Sequence, residues 1–254
     1  MVRQGDLIPV AEENANHSAR VCRIGPDDRL YVTLGQPYNV PPAGRMDLYN
    51  RVGMGGIVRM DRDGSRREVY ARGIRNSVGL DFAGDGTLWF TDNQVDGMGD
   101  DIPPGEINHA TRAGQNFGFP WYGGGHTRTT EYRNSTPPAD VVFPIVEEVA
   151  HAADLGMTIY TGRMFPKEYR GAIFSAQHGS WNRTTPVGAR VMVTMIDPDG
   201  HAPAGSKPFA EGWLDRDGDY DGRPVDVGQM RDGSLLVSDD LAGAVYRITY
   251  EAPK

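Results

Sequence analysis

Leu80-Asp-Phe-Ala-Gly-Asp-Gly-Thr-Leu-Trp-Phe-Thr-Asp92 is the stretch that decides the fold. Apolar and polar residues alternate on either side of Asp85-Gly86. An Asp-Gly pair between such runs marks a hairpin, because Gly tolerates the positive φ that a type I′ turn demands. The same arrangement stands upstream at Cys22-Arg-Ile-Gly-Pro-Asp-Asp-Arg-Leu-Tyr-Val-Thr-Leu34. It returns downstream at Val225-Asp-Val-Gly-Gln-Met-Arg-Asp-Gly-Ser-Leu-Leu-Val-Ser-Asp239, turning at Asp232-Gly233. A looser copy runs from Met157 to Ala176, punctuated by Phe165-Pro166 and Arg170-Gly171. A further strand is expected at Gly56-Ile-Val-Arg-Met60, at Gly188 to Met195 and at Gly243 to Tyr250, each a Gly followed by alternating residues.

Internal repetition of hairpins points to a repeat architecture. The hairpins are anchored at Leu30, Leu88, Ile173 and Leu235. Those anchors lie further apart than the roughly 40–50 residues of a compact blade, so long loops must sit between strands. No useful 3.6-residue apolar stripe appears, and Gly 33 plus Pro 18 favour many short elements joined by turns. The reading is all-β: a single β-propeller domain over residues 1–254 with about four blades present, a β-sandwich being the alternative. An incomplete ring would leave strand edges unpaired, which natural proteins avoid, so the expectation is a larger ring whose first blades lie outside this sequence.

The net charge of −8 argues against a nucleic-acid partner, which needs a concentrated basic face. No apolar run is long enough to span a membrane. Cys22 is the only cysteine, so no intrachain disulfide can form and the redox compartment cannot be read from it. The opening Met-Val-Arg-Gln-Gly-Asp lacks the apolar stretch of a signal peptide, which implies a cytoplasmic protein or a natural start further upstream.

Five loop segments carry candidate chemistry. His17 precedes the first hairpin; a loop His titrates near working pH and can serve as a general base, or can simply be solvated. Arg75-Asn76, in Gly73-Ile-Arg-Asn-Ser-Val-Gly-Leu80, offers a planar cationic fork beside an amide, suited to carboxylates, or a tie that holds the loop. Thr91 to Asn108 is a Gly- and Asp-rich loop able to give hard oxygen ligands to Ca²⁺, or an acidic solvent face. Ala176-Gln-His-Gly-Ser-Trp-Asn-Arg183 is the most distinctive run, and its Trp181 can stack on a flat ring or a sugar face as well as fill a core. Arg223 opens the last hairpin. A loop started at Asp217 hints at an EF-hand but ends at Gly228, where Glu is required.

Taken in order, these motifs resemble the glucose/sorbosone dehydrogenase family of soluble sugar dehydrogenases dependent on pyrroloquinoline quinone (PQQ), nearer its sorbosone dehydrogenase-like branch. The likeness runs from about Asn16 to Tyr250. It implies a six-bladed propeller lacking one to two N-terminal blades here, and a quinoprotein that oxidises an aldose or a sorbosone-like aldehyde. It implies His17 as the catalytic base; Arg75, Asn76, His178 and Arg223 as cofactor contacts, with Trp181 a stacking candidate; and the carbonyls of Asp100 and Asp101 as donors to the cofactor's Ca²⁺. Asn16 and Gln36 stand where glucose-oxidising members carry aspartates, and Val225 replaces a second arginine. Tyr38 and Pro41 take the places of a cysteine pair found in many sorbosone-like members. A diffusible electron acceptor and a periplasmic or secreted location are further implications. Two other functions fit the residues: a Ca²⁺-dependent sugar-lactone hydrolase on a propeller, and a non-catalytic binding module or inactive fragment.

Overall fold

A computed structural model describes residues 3–252. The first sheet holds β1 (Cys22–Ile24), β2 (Leu30–Leu34), β3 (Gly56–Met60) and β4 (Glu68–Arg72), antiparallel in that order. The second holds β5 (Leu80–Phe82), β6 (Leu88–Asp92), β7 (Gly105–Ala110) and, after the two-residue β8 (Gln115–Asn116), β9 (Val146–Glu148); β8 itself runs parallel beside β4. The third holds β10 (Asp154–Ile159), β11 (Ile173–Gln177), β12 (Arg190–Thr194) and β13 (Ser206–Ala210). The fourth holds β14 (Pro224–Gln229), β15 (Leu235–Asp239) and β16 (Ala244–Ile248). One short helix, α1 (Met46–Val52), lies in the loop between β2 and β3.

The first strands of successive sheets touch in turn, β1 with β5, β5 with β10 and β10 with β14, which sets them nearest a common axis. Apolar clusters form between neighbouring sheets. Tyr31 and Ile57 of the first meet Leu80, Leu88 and Phe90 of the second. Trp89 and Ile107 of the second meet Met157, Ile159 and Ile173 of the third, and Phe174 and Val191 of the third meet Val227 and Leu235 of the fourth. Each such side chain contributes about 1.5–3 kcal/mol when fully buried. This is the stacking of propeller blades, four of them, as the repeats predict.

Hydrogen bonds stitch neighbouring blades. Thr91 Oγ1 donates to the Leu155 carbonyl at 2.6 Å, and Tyr160 OH donates to the Gly233 carbonyl at 2.8 Å. The hairpins form where expected, with Leu80 opposite Phe90 and Phe82 opposite Leu88, but the turn differs from type I′. Gly86 and Gly233 have φ of 86° and 89°, whereas Asp85 and Asp232 keep negative φ. A single left-handed residue therefore closes each turn, and in the first hairpin Asp28 fills that position with φ 62°. Asp tolerates the left-handed region better than most residues, which explains how that hairpin closes without Gly.

Candidate functional site

At one end of the blades, a cavity of about 200 Å³ is walled by loops of the first three sheets: His17, Arg75, Asn76, Gln94, Asp96, His151 and their neighbours. Three of its lining residues, His17, His151 and Ala153, hold positive φ of 50°, 63° and 59° without being Gly. Each costs of order 1–3 kcal/mol and persists only where surrounding contacts impose it.

His17 Nδ1 lies 2.6 Å from the Gln36 carbonyl oxygen. A carbonyl only accepts, so Nδ1 carries the proton and Nε2 keeps its lone pair. Burial lowers the pKa of His17, the charge of Arg75 lowers it further, and the Gln36 bond and Asp96 act in the opposite sense. The ring is therefore neutral at pH 7, with a fixed tautomer. Gln36 orients it through its backbone. The Gln36 side chain turns away, accepting from Tyr38 N at 2.9 Å and donating to the Tyr38 carbonyl. Behind the ring, a Cβ on Gly35 would lie 2.4 Å from the His17 carbonyl oxygen and 2.7 Å from Asn76 Oδ1.

Arg75 and Asn76 are set by Asp92, the last residue of β6. Their backbone N–H groups donate to the two Asp92 carboxylate oxygens at 2.9 and 2.7 Å. The Arg75 guanidinium donates to the Asn39 carbonyl at 3.1 Å, the Asn93 carbonyl at 3.2 Å, Asn39 Oδ1 at 2.9 Å and Asp96 Oδ2 at 2.9 Å. That leaves one of its five N–H groups unused. Asp92 is wholly buried and sits opposite Glu106 across the β6–β7 ladder. Burial raises the pKa of both, and the Asp92 charge raises Glu106 further.

Three acceptor oxygens on cavity-lining residues are buried without a partner: Asn76 Oδ1, Gln94 Oε1 and Asp154 Oδ2. Asp154 Oδ1 accepts from Gln177 Nε2 at 2.9 Å, and the same amide nitrogen reaches Glu148 Oε2 at 3.3 Å. Burial raises the pKa of Asp154 well above the usual carboxylate range, with the Glu148 charge adding to it. On the outer wall, His151 Nε2 donates to the carbonyls of Gly99 at 2.8 Å and Ile102 at 3.2 Å, and Asn182 Nδ2 donates to Asp96 Oδ1 at 2.8 Å.

The structure thus brings His17, Arg75, Asn76 and Trp181 to one cavity. Trp181 stands at its rim, 75% exposed. His178 and Arg223 do not line this cavity and belong together one blade further on. Arg223 donates to the carbonyls of His178 at 3.1 Å and Gly179 at 2.6 Å and lies over the Tyr220 ring, while His178 Nε2 contacts Asp240 at 2.9 Å. Asp100 and Asp101 face Arg183: its guanidinium donates to the Asp100 carbonyl oxygen and reaches Asp101 Oδ1 at 3.3 Å. A fixed cation thus sits on the Asp100 carbonyl, where a metal ion was expected. Among the described residues, no three or more His, Cys, Asp or Glu side chains are grouped to hold one.

Asp92, Asp96, His151 and Asp154 did not stand out as site residues in the sequence. Asp96 lies inside the acidic loop already singled out, and Asp92 ends a predicted strand facing the Arg75-Asn76 turn. His151 and Asp154 carry no motif, since cross-sheet contacts bring them in.

The glucose/sorbosone dehydrogenase family model matches residues 8–180. An uncharacterized protein of Borreliella burgdorferi is 37% identical over 238 residues, which is 92% of this chain and 61% of that protein. The chain therefore spans about three fifths of the length of this curated relative. Among solved structures, a calcium structure of the Trichoderma reesei carbohydrate-active enzyme family AA12 superposes with a TM-score of 0.75 at 20% identity, covering 92% of this chain and 69% of that one. The holo form of the pyranose dehydrogenase PQQ domain from Coprinopsis cinerea gives 0.71 at 20% identity, covering 94% and 71%. The PQQ-bound aldose sugar dehydrogenase from Streptomyces coelicolor gives 0.59 at 21% identity, covering 85% and 54%. At these identities the likeness shows the fold.

Proposed function

Because the chain belongs to the glucose/sorbosone dehydrogenase family, we propose that it is a quinoprotein that oxidises the hydroxyl-bearing C1 of an aldose or of a hydrated sorbosone-like aldehyde. The observation that carries this reading is the state of His17: Nδ1–H bound to the Gln36 carbonyl, and Nε2 a free base beside Arg75 at a cavity.

Bound PQQ would supply the two-electron acceptor, and bound calcium would polarise it. The cavity suits such a pair in its donor set. Arg75 keeps one N–H for an anionic oxygen, and the unpartnered oxygens of Asn76, Gln94 and Asp154 are acceptors that suit a hard cation. These three oxygens, rather than Asp100 and Asp101, are the ones we assign to calcium. His178 and Arg223, which do not line the cavity, are not among the cofactor contacts in this reading.

The chain's own part is positional. The His17 Nε2 lone pair accepts the proton of the sugar hydroxyl while that carbon gives up hydride, and the Gln36 carbonyl holds the ring in register as charge develops on it. Asp92 fixes the Arg75-Asn76 turn, and the Asp96 carboxylate holds the guanidinium in place. The substrate is a small sugar, and the final electron acceptor is diffusible. The family setting supports a periplasmic or secreted location, and no helix of the described residues is long and apolar enough to cross a membrane. The test is reconstitution of the purified chain with PQQ and Ca²⁺ followed by dye reduction against a panel of aldoses. Activity is expected in the wild type and absent in His17→Ala; equal activity in the two would remove the base.

A further inference from the structure

The cavity that holds His17 is small for what the proposed reaction brings into it. At about 200 Å³ it lies below the roughly 300–1,000 Å³ of sites that enclose a drug-sized ligand. A wider groove of about 610 Å³ lies beyond, and Asp96, Trp181 and Asn182 line both. Across that shared wall, Asn182 Nδ2 donates to Asp96 Oδ1 at 2.8 Å. Parting these two residues joins the spaces into one.

Asp96 begins a strap, residues 96–102, that belongs to the β6–β7 connection but is held by its neighbours. Among the described residues, no backbone–backbone hydrogen bond involves 96–102. At the near end, the Asn39 amide clips Asp96: Nδ2 donates to the Asp96 carbonyl and Oδ1 accepts from Asp96 N, each at 2.9 Å. Further along, every side-chain bond to the strap comes from the loops beside β10 and β11. His151 Nε2 donates to the Gly99 and Ile102 carbonyls, Arg183 to the Asp100 carbonyl, and Thr184 N to Asp100 Oδ2 at 2.9 Å. Asn182 Nδ2 also reaches His151 Nδ1 at 3.3 Å, which suits the tautomer that leaves Nε2 a donor. The loop carrying Asn182 is tied down by its own backbone, Gly179 N to Ala152 O at 2.9 Å and Ser180 N to Val187 O at 3.0 Å. The strap is therefore the side free to move, since segments without backbone bonds open locally at least cost. Gly97 and Gly99, with φ of 83° and 113° and open space where a Cβ would stand, give it pivots.

We propose that the strap of residues 96–102 is a gate between the inner cavity and the outer groove, latched shut by His151 and Asn182, which swings open to admit cofactor and sugar. The proposal rests on the quinoprotein reading above for what passes through, and adds how that site is entered. Closing the gate shuts water away from His17 and Arg75, where charge interactions then act most strongly. His151 and Asn182 are positioning residues in this account, since they act through the strap.

Hydrogen–deuterium exchange of the full chain, without cofactor or sugar, reads the latch at the amides of residues 96–102. Asn182→Asp replaces the donor with a second carboxylate facing Asp96. His151→Asn withdraws the imidazole, and Asn tolerates the left-handed φ of 63° at that position. Each variant, its fold checked by a melting curve, raises strap exchange about tenfold, the effect of one lost hydrogen bond, and leaves β6 and β7 unchanged. Stopped-flow mixing with PQQ, followed by tryptophan fluorescence, reads the passage. The wild-type uptake rate levels off as PQQ concentration rises, because opening becomes limiting, and the plateau stands about tenfold higher in both variants. Strap exchange unchanged in both variants, or uptake proportional to PQQ concentration with no plateau, would each overturn the proposal. Proportional uptake followed by dye reduction would remove the gate and leave the quinoprotein reading. Failure of all three chains to take up PQQ, with strap exchange still raised in the variants, would sink that reading and leave the latch standing.

Discussion

The imidazole of His17 is anchored by its Nδ1 to the backbone carbonyl of Gln36, 2.6 Å away, and the anchor replaces a carboxylate with a neutral acceptor. A carboxylate partner would raise the basicity of the ring. Here burial and the nearby Arg75 charge lower it. The first consequence is kinetic. The acid limb of kcat/KM falls below pH 6.5, the ordinary value for His. Arg75→Gln removes one of the three depressing causes, burial, Arg75 and Arg20, and moves His17 upward, which a ring-proton NMR titration of the cofactor-free chain follows directly. A His17 titration above 6.5 in the wild type would contradict this account.

Gly35 supplies a second test. A Cβ there would press on the His17 carbonyl at 2.4 Å and on His17 Cβ at 2.8 Å, closer than side chains approach. Gly35→Ala must push the segment carrying the base. Overpacking of this kind costs about 1–3 kcal/mol, read as a lower urea midpoint. The kcat of the reconstituted chain falls at least tenfold, because the displaced ring no longer meets the substrate proton. An unchanged kcat would mean that His17 does not act at this position.

The buried carboxyls give the protein a stability profile of definite sign. Asp92, Glu106, Glu148 and Asp154 all have folded-state pKa values raised, chiefly by burial. A raised folded value means that the stabilisation is complete below the unfolded pKa and is lost as pH climbs through the folded one. His17, lowered, works oppositely and only below the ordinary His value of 6.5. Between about pH 6.5 and about pH 8 the urea midpoint therefore declines. Asp154→Asn keeps Oδ1 as the acceptor for Gln177 and removes the charge. It flattens this decline and raises the urea midpoint at the alkaline end. A wild-type midpoint that rises with pH over that range would refute the assignment.

Much of this was legible in the chain. The hairpins announce themselves because Asp85-Gly86 and Asp232-Gly233 interrupt strict alternation, and alternation is a local property. His17, Arg75 and Asn76 were legible through the family resemblance, since a loop directly ahead of a strand pair leaves a solvated His or a loop tie equally open. His151 and Asp154 were not, since what makes them site residues is contact with Gly99, Ile102 and Gln177, 23 to 52 positions away. The family resemblance implied the carbonyls of Asp100 and Asp101 as metal donors. Folded, the loop turns Asp96 inward to Arg75 and leaves Asp100 facing Arg183, an outcome set by tertiary pairing rather than by spacing. The family resemblance implied His178 and Arg223 as cofactor contacts, whereas His178 meets Asp240 and Arg223 donates to the backbone of the His178-Gly179 loop.

Arg183 therefore separates two accounts of the acidic loop. Its guanidinium joins the Asp100 carbonyl, the Ala150 carbonyl at 3.3 Å and Asp101, while the Thr184 N–H caps the Asp100 carboxylate at 2.9 Å. If this cation is what holds the loop, Arg183→Met leaves a carbonyl without its donor and costs about 1–3 kcal/mol. On that account the loss is the same with calcium or with chelator. Thermal melts of wild type and Arg183→Met, each with Ca²⁺ and with EGTA, give the four values needed. Rescue of Arg183→Met by calcium would show the loop to be a metal site after all and would return Asp100 and Asp101 to that role.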